Sequence, residues 1–324
     1  MGTYVRTQAI DHTIGETGSV SLSVRSADVR VRGISGADAH LRATFEITAA
    51  SDADADRIFQ EVQMRVVKGG SELIVDEHDS ADPVGKLFTR IFRGQGDYEL
   101  SLEAELPVRA QVRLTGVSSD MTVTDLHGDQ RYNTVSGDLS VVNSGGSVRL
   151  ETVSGDASVR ADEPLELHAQ SVSGDLNILS PTLRSLRANT VSGDVQLEAE
   201  LDATGDFRVE TVSGDMSVGL IGSATFEIHG LSTDVSSDLD HRLEGQIDRR
   251  RLIIGNGAPR VAFNSMSGDV RIRHPRRIAP RSAPVQPAPE PSAADKEAQL
   301  EVLRALERGE IDVDEATRRL AGGS

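Results

Sequence analysis

The stretch VRLETVSGDASV, from Val148 to Val159, decides the fold of this chain. Apolar or small side chains occupy every second position up to Thr152, with charged side chains between them. The same alternation resumes at Ala157, beyond the Ser-Gly-Asp segment. Alternation with a period of two on both sides of a turn predicts a strand, a turn and a second strand.

The four-residue core of this stretch occurs eight times along the chain. It begins at Val117, Val135, Val153, Val172, Val191, Val212, Leu231 and Met266. The successive offsets are 18, 18, 19, 19, 21, 19 and 35 residues, and such regularity indicates a structural repeat. The last offset is nearly two periods. It predicts one degenerate repeat, or one replaced by an insertion near DHRLEGQIDRRR.

A unit of about 19 residues, at roughly 3.3 Å per strand residue, is long enough for one coil of two or three short strands. Stacked coils of this kind form a β-solenoid with a continuous narrow core. We therefore predict an all-β fold, a β-solenoid of about 19-residue repeats with a small C-terminal α-hairpin. An antiparallel meander is the second choice, because it would not need the same turn in every period.

The repeated turn itself predicts a corner. Thr152 and Val153 are neighbours, and neighbouring strand residues point to opposite faces, yet both residue types recur. We expect the threonine to end one strand and the valine to pack around the bend. Glycine supplies a backbone conformation that other residues resist. The corner glycines are Gly137, Gly155, Gly174, Gly193, Gly214 and Gly268.

An aspartate follows each corner, and in a solenoid these aspartates form a column. Carboxylates stacked at about 4.8 Å repel by roughly 1 kcal/mol in water and about 3–4 kcal/mol at an effective dielectric of 20. Backbone amides of the turn or a bound cation would offset this repulsion. We favour the amides, because no second acidic residue recurs beside the column. The column comprises Asp120, Asp138, Asp156, Asp175, Asp194, Asp215, Asp234 and Asp269.

The composition limits both the core and the chemistry. Aromatic residues are only 3% of the 324 residues, so the core must be built mainly from valine, leucine, isoleucine, alanine and threonine. The net charge of −17 argues against nucleic-acid partners, which need a basic face. The chain has no cysteine, which excludes disulfides, cysteine-bound metals and a thiol nucleophile.

Four segments follow from the sequence. Residues 1–115 form a β-rich N-terminal part of the solenoid, with a short helix at Asp54–Val62 and a hairpin turning at Gly69 and Gly70. Residues 116–274 carry the repeats. Residues 275–291 hold six of the eleven prolines and form an extended linker. Residues 292–324 form a helical hairpin.

The predicted hairpin is the main candidate for contact with a partner. Its leucines recur at helical spacing, and Asp312 with Glu315 forms a capping box. About thirty residues cannot bury enough surface to be stable alone, so we expect docking on a second copy or on another protein. The interface candidates are Leu300, Leu303, Leu306, Ile311, Ala316 and Leu320.

One basic, aromatic patch interrupts the acidic chain, in GKLFTRIFRGQGD. We favour a cap on the open end of the solenoid, since solenoids must close their ends. The alternative is a contact site for a partner or a membrane surface. The patch comprises Leu87, Phe88, Arg90, Ile91, Phe92 and Arg93.

The TVSGD repeats across roughly residues 20–274 resemble a bacterial family known as the "putative adhesin" or β-strand-repeat domain of unknown function. The tail LRALERGEIDVDEATRRL is similar to short oligomerisation hairpins of the SHOCT type. The resemblance implies a link to the bacterial envelope and its stress responses, and it implies no particular activity.

The sequence offers no catalytic set, metal site or cofactor site. The eight histidines show no paired metal spacing, and neither a G-x-S-x-G elbow nor a phosphate-binding loop occurs.

We expect a non-enzymatic scaffold that assembles or recruits partners through the hairpin. The alternative is a carbohydrate-binding or carbohydrate-active solenoid with an adhesin-like surface. Without a signal peptide or membrane helix in the sequence, we expect a cytoplasmic protein that reaches the envelope through a partner.

Light scattering tests the role of the tail. The full chain should assemble and residues 1–274 should be monomeric, because the hairpin leucines need a surface to cover them. Each chain should be measured with calcium and with chelator. Equal masses for the two chains would contradict assembly through the tail.

Overall fold

The structure, a computed structural model, describes residues 1–77, 98–246 and 249–275. These residues belong to one unit and contain 22 strands and one helix, α1 (Asp52–Val62). The strands are β1 (Gly2–Thr13), β2 (Ser19–Val24), β3 (Ala27–Ile34), β4 (Asp38–Ala49), β5 (Arg65–Gly69), β6 (Glu72–Asp76), β7 (Tyr98–Pro107), β8 (Gln111–Ser118), β9 (Met121–Thr124), β10 (Gln130–Ser136), β11 (Leu139–Ser154), β12 (Ala157–Ser173), β13 (Leu176–Ser192), β14 (Val195–Leu201), β15 (Phe207–Ser213), β16 (Met216–Ile221), β17 (Ala224–Ser232), β18 (Val235–Ser237), β19 (His241–Gln246), β20 (Arg249–Ile254), β21 (Arg260–Ser267) and β22 (Val270–Arg273).

Each repeat forms one rung, with one strand before the corner and one after it. The strands before the corners pair in parallel in the order β6, β2, β8, β10, β11, β12, β13, β15, β21 and β17. The strands after the corners pair in the order β7, β3, β9, β11, β12, β13, β14, β16, β22 and β18. The long strands β11, β12 and β13 contribute their two halves to the two stacks. The fold is almost all-β and solenoid-like.

Equivalent positions of successive repeats stack directly on each other. Thr134 pairs with Thr152, and Thr152 pairs with Ser171. This parallel, in-register pairing overturns the antiparallel meander as an alternative. The sequence repeat therefore has a simple cause, because every rung meets the same environment as its neighbours.

The core lies between the two stacks and consists of the inward positions of every rung. Val148 and Leu150 before a corner, and Ala157 and Val159 after it, are each 3% exposed or less. Their charged neighbours on the same strands point to solvent. Burial on one face of each strand explains the period of two in the sequence.

The last rungs do not stack in chain order. The strand β21 pairs with both β15 and β17, and β22 pairs with both β16 and β18. The rung that carries Asp269 therefore lies between the rungs of Asp215 and Asp234. Of the two causes expected for the long last offset, the described residues show the insertion near DHRLEGQIDRRR and not a degenerate rung. That segment supplies the antiparallel strands β19 and β20, which extend the stack beyond β17.

Antiparallel elements and the helix cover the N-terminal end. The strand β4 pairs with β1 and β7, and β5 and β6 form a hairpin that turns at Gly70 and Ser71, one residue later than predicted. The helix begins two residues before the predicted start, because the hydroxyl of Ser51 accepts a hydrogen bond from the Asp54 amide and caps it. Phe59 of α1 packs edge-on against Phe45 at 5.4 Å between ring centroids.

Corner glycines are required because consecutive corners approach very closely. Gly174 has φ +128°, and a Cβ atom there would lie 2.1 Å from the carbonyl oxygen of Gly155. The same clash, at 2.0–2.3 Å from the preceding corner's backbone, would occur at the other corner glycines. A side chain at these positions would force the rungs apart.

Substitution of a corner glycine should be far more costly than substitution of another glycine with positive φ. We expect Gly174→Ala to lower the free energy of unfolding by about 3 kcal/mol or more, from backbone clash and strain together. The matched control is Gly222→Ala, where φ is +95° but no atom lies within 4 Å. It should lose only about 1 kcal/mol. Denaturant unfolding measures both, and equal losses would refute the stacking explanation.

Candidate interaction surface

The aspartate column is part of the stacking itself. Except at Asp234, the last aspartate in the stack, the Oδ1 atom of each carboxylate accepts a hydrogen bond from the backbone N–H of the aspartate in the next rung. The donor–acceptor distances are 2.8–2.9 Å, and the chain of bonds runs through Asp120, Asp138, Asp156, Asp175, Asp194, Asp215, Asp269 and Asp234 in that order.

Each of these bonds places the partial positive charge of a backbone N–H group next to a carboxylate. Hydrogen bonds from backbone N–H groups to carboxylates are charge-assisted and oppose the repulsion along the column. The donors come from the neighbouring rung, whereas the sequence suggested donors within the same turn. Among the described residues, no group of three histidine or acidic side chains is arranged to hold a metal ion.

The corner valines form an exposed column, which we call the valine column. It consists of Val117, Val135, Val153, Val172, Val191, Val212, Met266 and Leu231, in the order in which the rungs stack. The six valines are 45–48% exposed. At about 4.8 Å per rung, the column is about 34 Å long. The expectation that these valines pack around the bend is wrong, because the adjacent threonine takes the inward position.

Two polar columns lie beside the valine column on the same outer face. The nearer one contains mainly amide and acidic side chains, at Thr115, Asn133, Glu151, Gln170, Asn189, Glu210, Asn264 and His229. The farther one, the arginine column, contains Arg113, Arg131, Arg149, His168, Arg187 and Arg208. A groove of about 490 Å³ runs along five rungs between the valines and the amide side chains.

The side chains of the arginine column interact with nearby carboxylates and with His168. Arg187 pairs with Asp206 at 3.5 Å and Arg208 pairs with Glu210 at 3.6 Å. His168 lies between Arg149 and Arg187 in the stack. Burial lowers the pKa of His168, and the two neighbouring arginines lower it further. The histidine is therefore less easily protonated than a free imidazole.

The other predicted contact residues lie outside the described part of the chain. The basic patch falls in the segment between Glu77 and Tyr98, and the hairpin leucines fall after Pro275. Glu77 and Tyr98, the described residues on either side of the segment with the basic patch, lie close together. The hydroxyl of Tyr98 donates to Glu77 at 2.7 Å, and burial together with this carboxylate raises the tyrosine pKa.

Sequence reasoning missed the valine column as a surface. The signal was present, because strict alternation places the residue after an inward threonine on the outer face. The arginine column carried a similar signal, since Arg113, Arg131, Arg149, Arg187 and Arg208 each fall four residues before a corner valine.

Comparison with protein families gives two overlapping matches to the Toastrack DUF4097 family, over residues 98–185 and 173–273. Together they span more than half of the chain. The chain belongs to the Toastrack DUF4097 family. Its β-solenoid-like fold agrees with that membership. No curated protein matches the chain.

Solved structures similar to this Toastrack chain have low sequence identity and low TM-scores. A "putative cell adhesion protein" from Clostridium sporogenes is 8% identical, with a TM-score of 0.24, covering 83% of this chain and all of its own. A "putative adhesin" from Bacteroides fragilis is 8% identical, with a TM-score of 0.31 and coverages of 83% and 97%. A "putative lipid binding protein" from Parabacteroides distasonis is 11% identical, with a TM-score of 0.33 and coverages of 82% and 96%.

Within the described residues, no helix has the length and apolar character needed to cross a bilayer.

Two substitutions separate the hydrogen bond of the aspartate column from its charge. Asp156→Ala leaves the Asp175 amide without its acceptor and should lower the free energy of unfolding by about 1–2 kcal/mol. Asp156→Asn keeps an acceptor oxygen and removes a repelling charge, so stability should be unchanged or higher. Urea titration at low and high salt measures both. If Asn is as harmful as Ala, the negative charge itself is needed.

The pKa of His168 should respond to its arginine neighbours. By proton NMR titration, it should lie below the ordinary 6.5, and Arg149→Gln should raise it without restoring the ordinary value, because burial is the larger cause. Between the lowered pKa and 6.5 the unfolded chain binds more protons, so the contribution of His168 to stability increases as the pH rises through this window. An unchanged pKa in Arg149→Gln would contradict the electrostatic coupling.

Proposed function

We propose that this Toastrack protein is a non-enzymatic scaffold that binds a partner along the valine column. The observation that carries the proposal is the run of eight apolar side chains on one exposed edge. Contiguous exposed apolar surface on a protein commonly marks an interaction site. The backbone stacking that fixes the corners also fixes the spacing of these side chains.

The valines have a simpler explanation, which is their preference for strand backbone. Threonine shares the β-branched shape and much of that preference, yet valine occupies this position in six corners. A purely conformational requirement would also accept polar β-branched residues on an exposed edge. The preference for an apolar side chain therefore supports a binding role.

The neighbouring groove suits recognition better than catalysis. Its lining combines the valines with threonine, asparagine and glutamine side chains, together with Glu151. Such walls offer apolar contact and hydrogen bonds for orientation, and they lack a nucleophile next to a general base. This supports a binding protein without enzymatic activity.

We further propose that residues 292–324 provide assembly or recruitment, as the sequence suggests. The rung stack would then hold the valine column in a fixed arrangement, and the hairpin would bring copies or partners together. A role in bacterial envelope stress signalling, reached through a partner from the cytoplasm, is the most specific form of this proposal. It rests on the resemblance carried by the repeats and the tail.

A photo-crosslinking residue at Ser154, exposed beside the column, tests the proposal in producing cells. We expect a discrete cross-linked species that weakens at least several-fold when Val135, Val153, Val172 and Val191 are changed to threonine. Val5→Thr with Val67→Thr is the matched control, because these valines are similarly exposed but lie off the column. No discrete species, or equal yields in all variants, would refute binding at the column.

The carbohydrate-binding alternative predicts a groove lined by carboxylates and aromatic rings. The lining of the groove beside the valine column contains no aromatic residue. The described rings of the repeat region, at Tyr132, Phe207, Phe226 and Phe263, are buried. We therefore do not favour this alternative. A signal on a glycan array or in a reducing-sugar assay would revive it.

A further inference from the structure

The strand β19 is an open edge of the sheet. It pairs with β20 on one side, and no strand of the described residues pairs with its other side. All six of its residues are exposed. An edge strand presents unpaired N–H and C=O groups, which form a template for another strand.

The side chains of β19 are complementary to themselves. Arg242 and Glu244 lie on one face of the strand and pair at 2.8 Å. Between them, Leu243 points to the other face and is 50% exposed. In an antiparallel pair centred on Leu243, Arg242 of one copy lies opposite Glu244 of the other, and the two leucines lie opposite each other.

We propose that β19 pairs antiparallel with β19 of a second copy of this chain. The contact has two-fold symmetry, so the pair of Arg242 with Glu244 occurs twice and the contact between the two Leu243 side chains lies on the axis. Directly opposite cross-strand residues have Cβ atoms about 4.5–5.5 Å apart, close enough for both the ion pairs and the leucine contact. The two sheets then continue across the interface.

Charged residues on an edge can also serve to prevent such pairing. That protection works when the edge carries charges of one sign, because a second copy is then repelled. The Arg-Leu-Glu order does the opposite, since antiparallel self-pairing brings unlike charges together. The charge pattern therefore favours a second copy over protection from one.

The other open edge strands in the described residues lack this charge self-complementarity. The strand β5 carries only positive charges, at Arg65 and Lys68, so a second copy of it would be repelled. The strand β18 has three residues. Along β1, Arg6 is held by Asp52 and Asp56 of α1. The inference is thus specific to β19, and it does not depend on a partner at the valine column.

Charge exchange in the full chain tests the proposal. Sedimentation velocity over a wide range of concentrations should show self-association of the natural chain. Arg242→Glu and Glu244→Arg should each shift the weight-average mass toward half, because like charges then oppose each other. The combined variant, R242E with E244R, should associate like the natural chain.

An equimolar mixture of the two single variants should also associate, because one then carries two acidic side chains and the other two basic ones. At a concentration low enough for the natural chain to be monomeric, all variants should keep its melting temperature, since both side chains are exposed. A natural chain whose mass is unaffected by either single variant would overturn the proposal. So would a combined variant that fails to restore association. Association through residues 292–324 would give the natural chain, the two single variants and the combined variant the same weight-average mass.

Discussion

The six corner glycines lie so close to the backbone of the preceding corner that no side chain fits there. A Cβ atom on Gly174 would lie 2.1 Å from the Gly155 carbonyl oxygen, and the other corner glycines are equally tight. Only the corners of the first and last of the eight stacked repeats carry a side chain at this position, at Ser119 and Thr233. The parallel ladders set the rung spacing, and at this spacing the corner must have glycine and each Asp Oδ1 lies within hydrogen-bonding distance of the next aspartate amide. The glycine and the aspartate of the repeat are therefore two parts of one packing requirement.

The same requirement produces the surface on which the proposed function rests. With the backbone fixed at each corner, a threonine or serine turns inward in six of the eight repeats, and a valine, leucine or methionine turns outward in all eight. One local geometry, repeated, thus generates both a buried hydroxyl column and an exposed apolar column. The arginine column and its effect on His168 follow from the same in-register stacking, because equivalent residues must become neighbours.

Sequence reasoning reached the repeat, the corner and the inward positions, because these depend on local periodicity. It could not reach the position of Asp269 between Asp215 and Asp234, since a period does not specify which rungs are neighbours. It misplaced the valines because alternation was assumed to change at the bend. It started the helix at Asp54, although Ser51 is a favourable cap three residues earlier. The proposed self-pairing of β19 could not be predicted from the sequence either, because it depends on where the inserted hairpin lies.

The order of the last rungs is the central claim, because it decides which corners are neighbours and places Met266 between Val212 and Leu231 in the valine column. The chain contains no cysteine, so engineered pairs can report this order directly. Parallel neighbours lie within the distance that a disulfide can bridge. Ser217→Cys with Arg271→Cys, and Arg271→Cys with Ser236→Cys, should oxidise to disulfides, because Arg271 pairs with both serines. Ser217→Cys with Ser236→Cys should not. A disulfide in the last pair, without one between positions 217 and 271, would contradict the account.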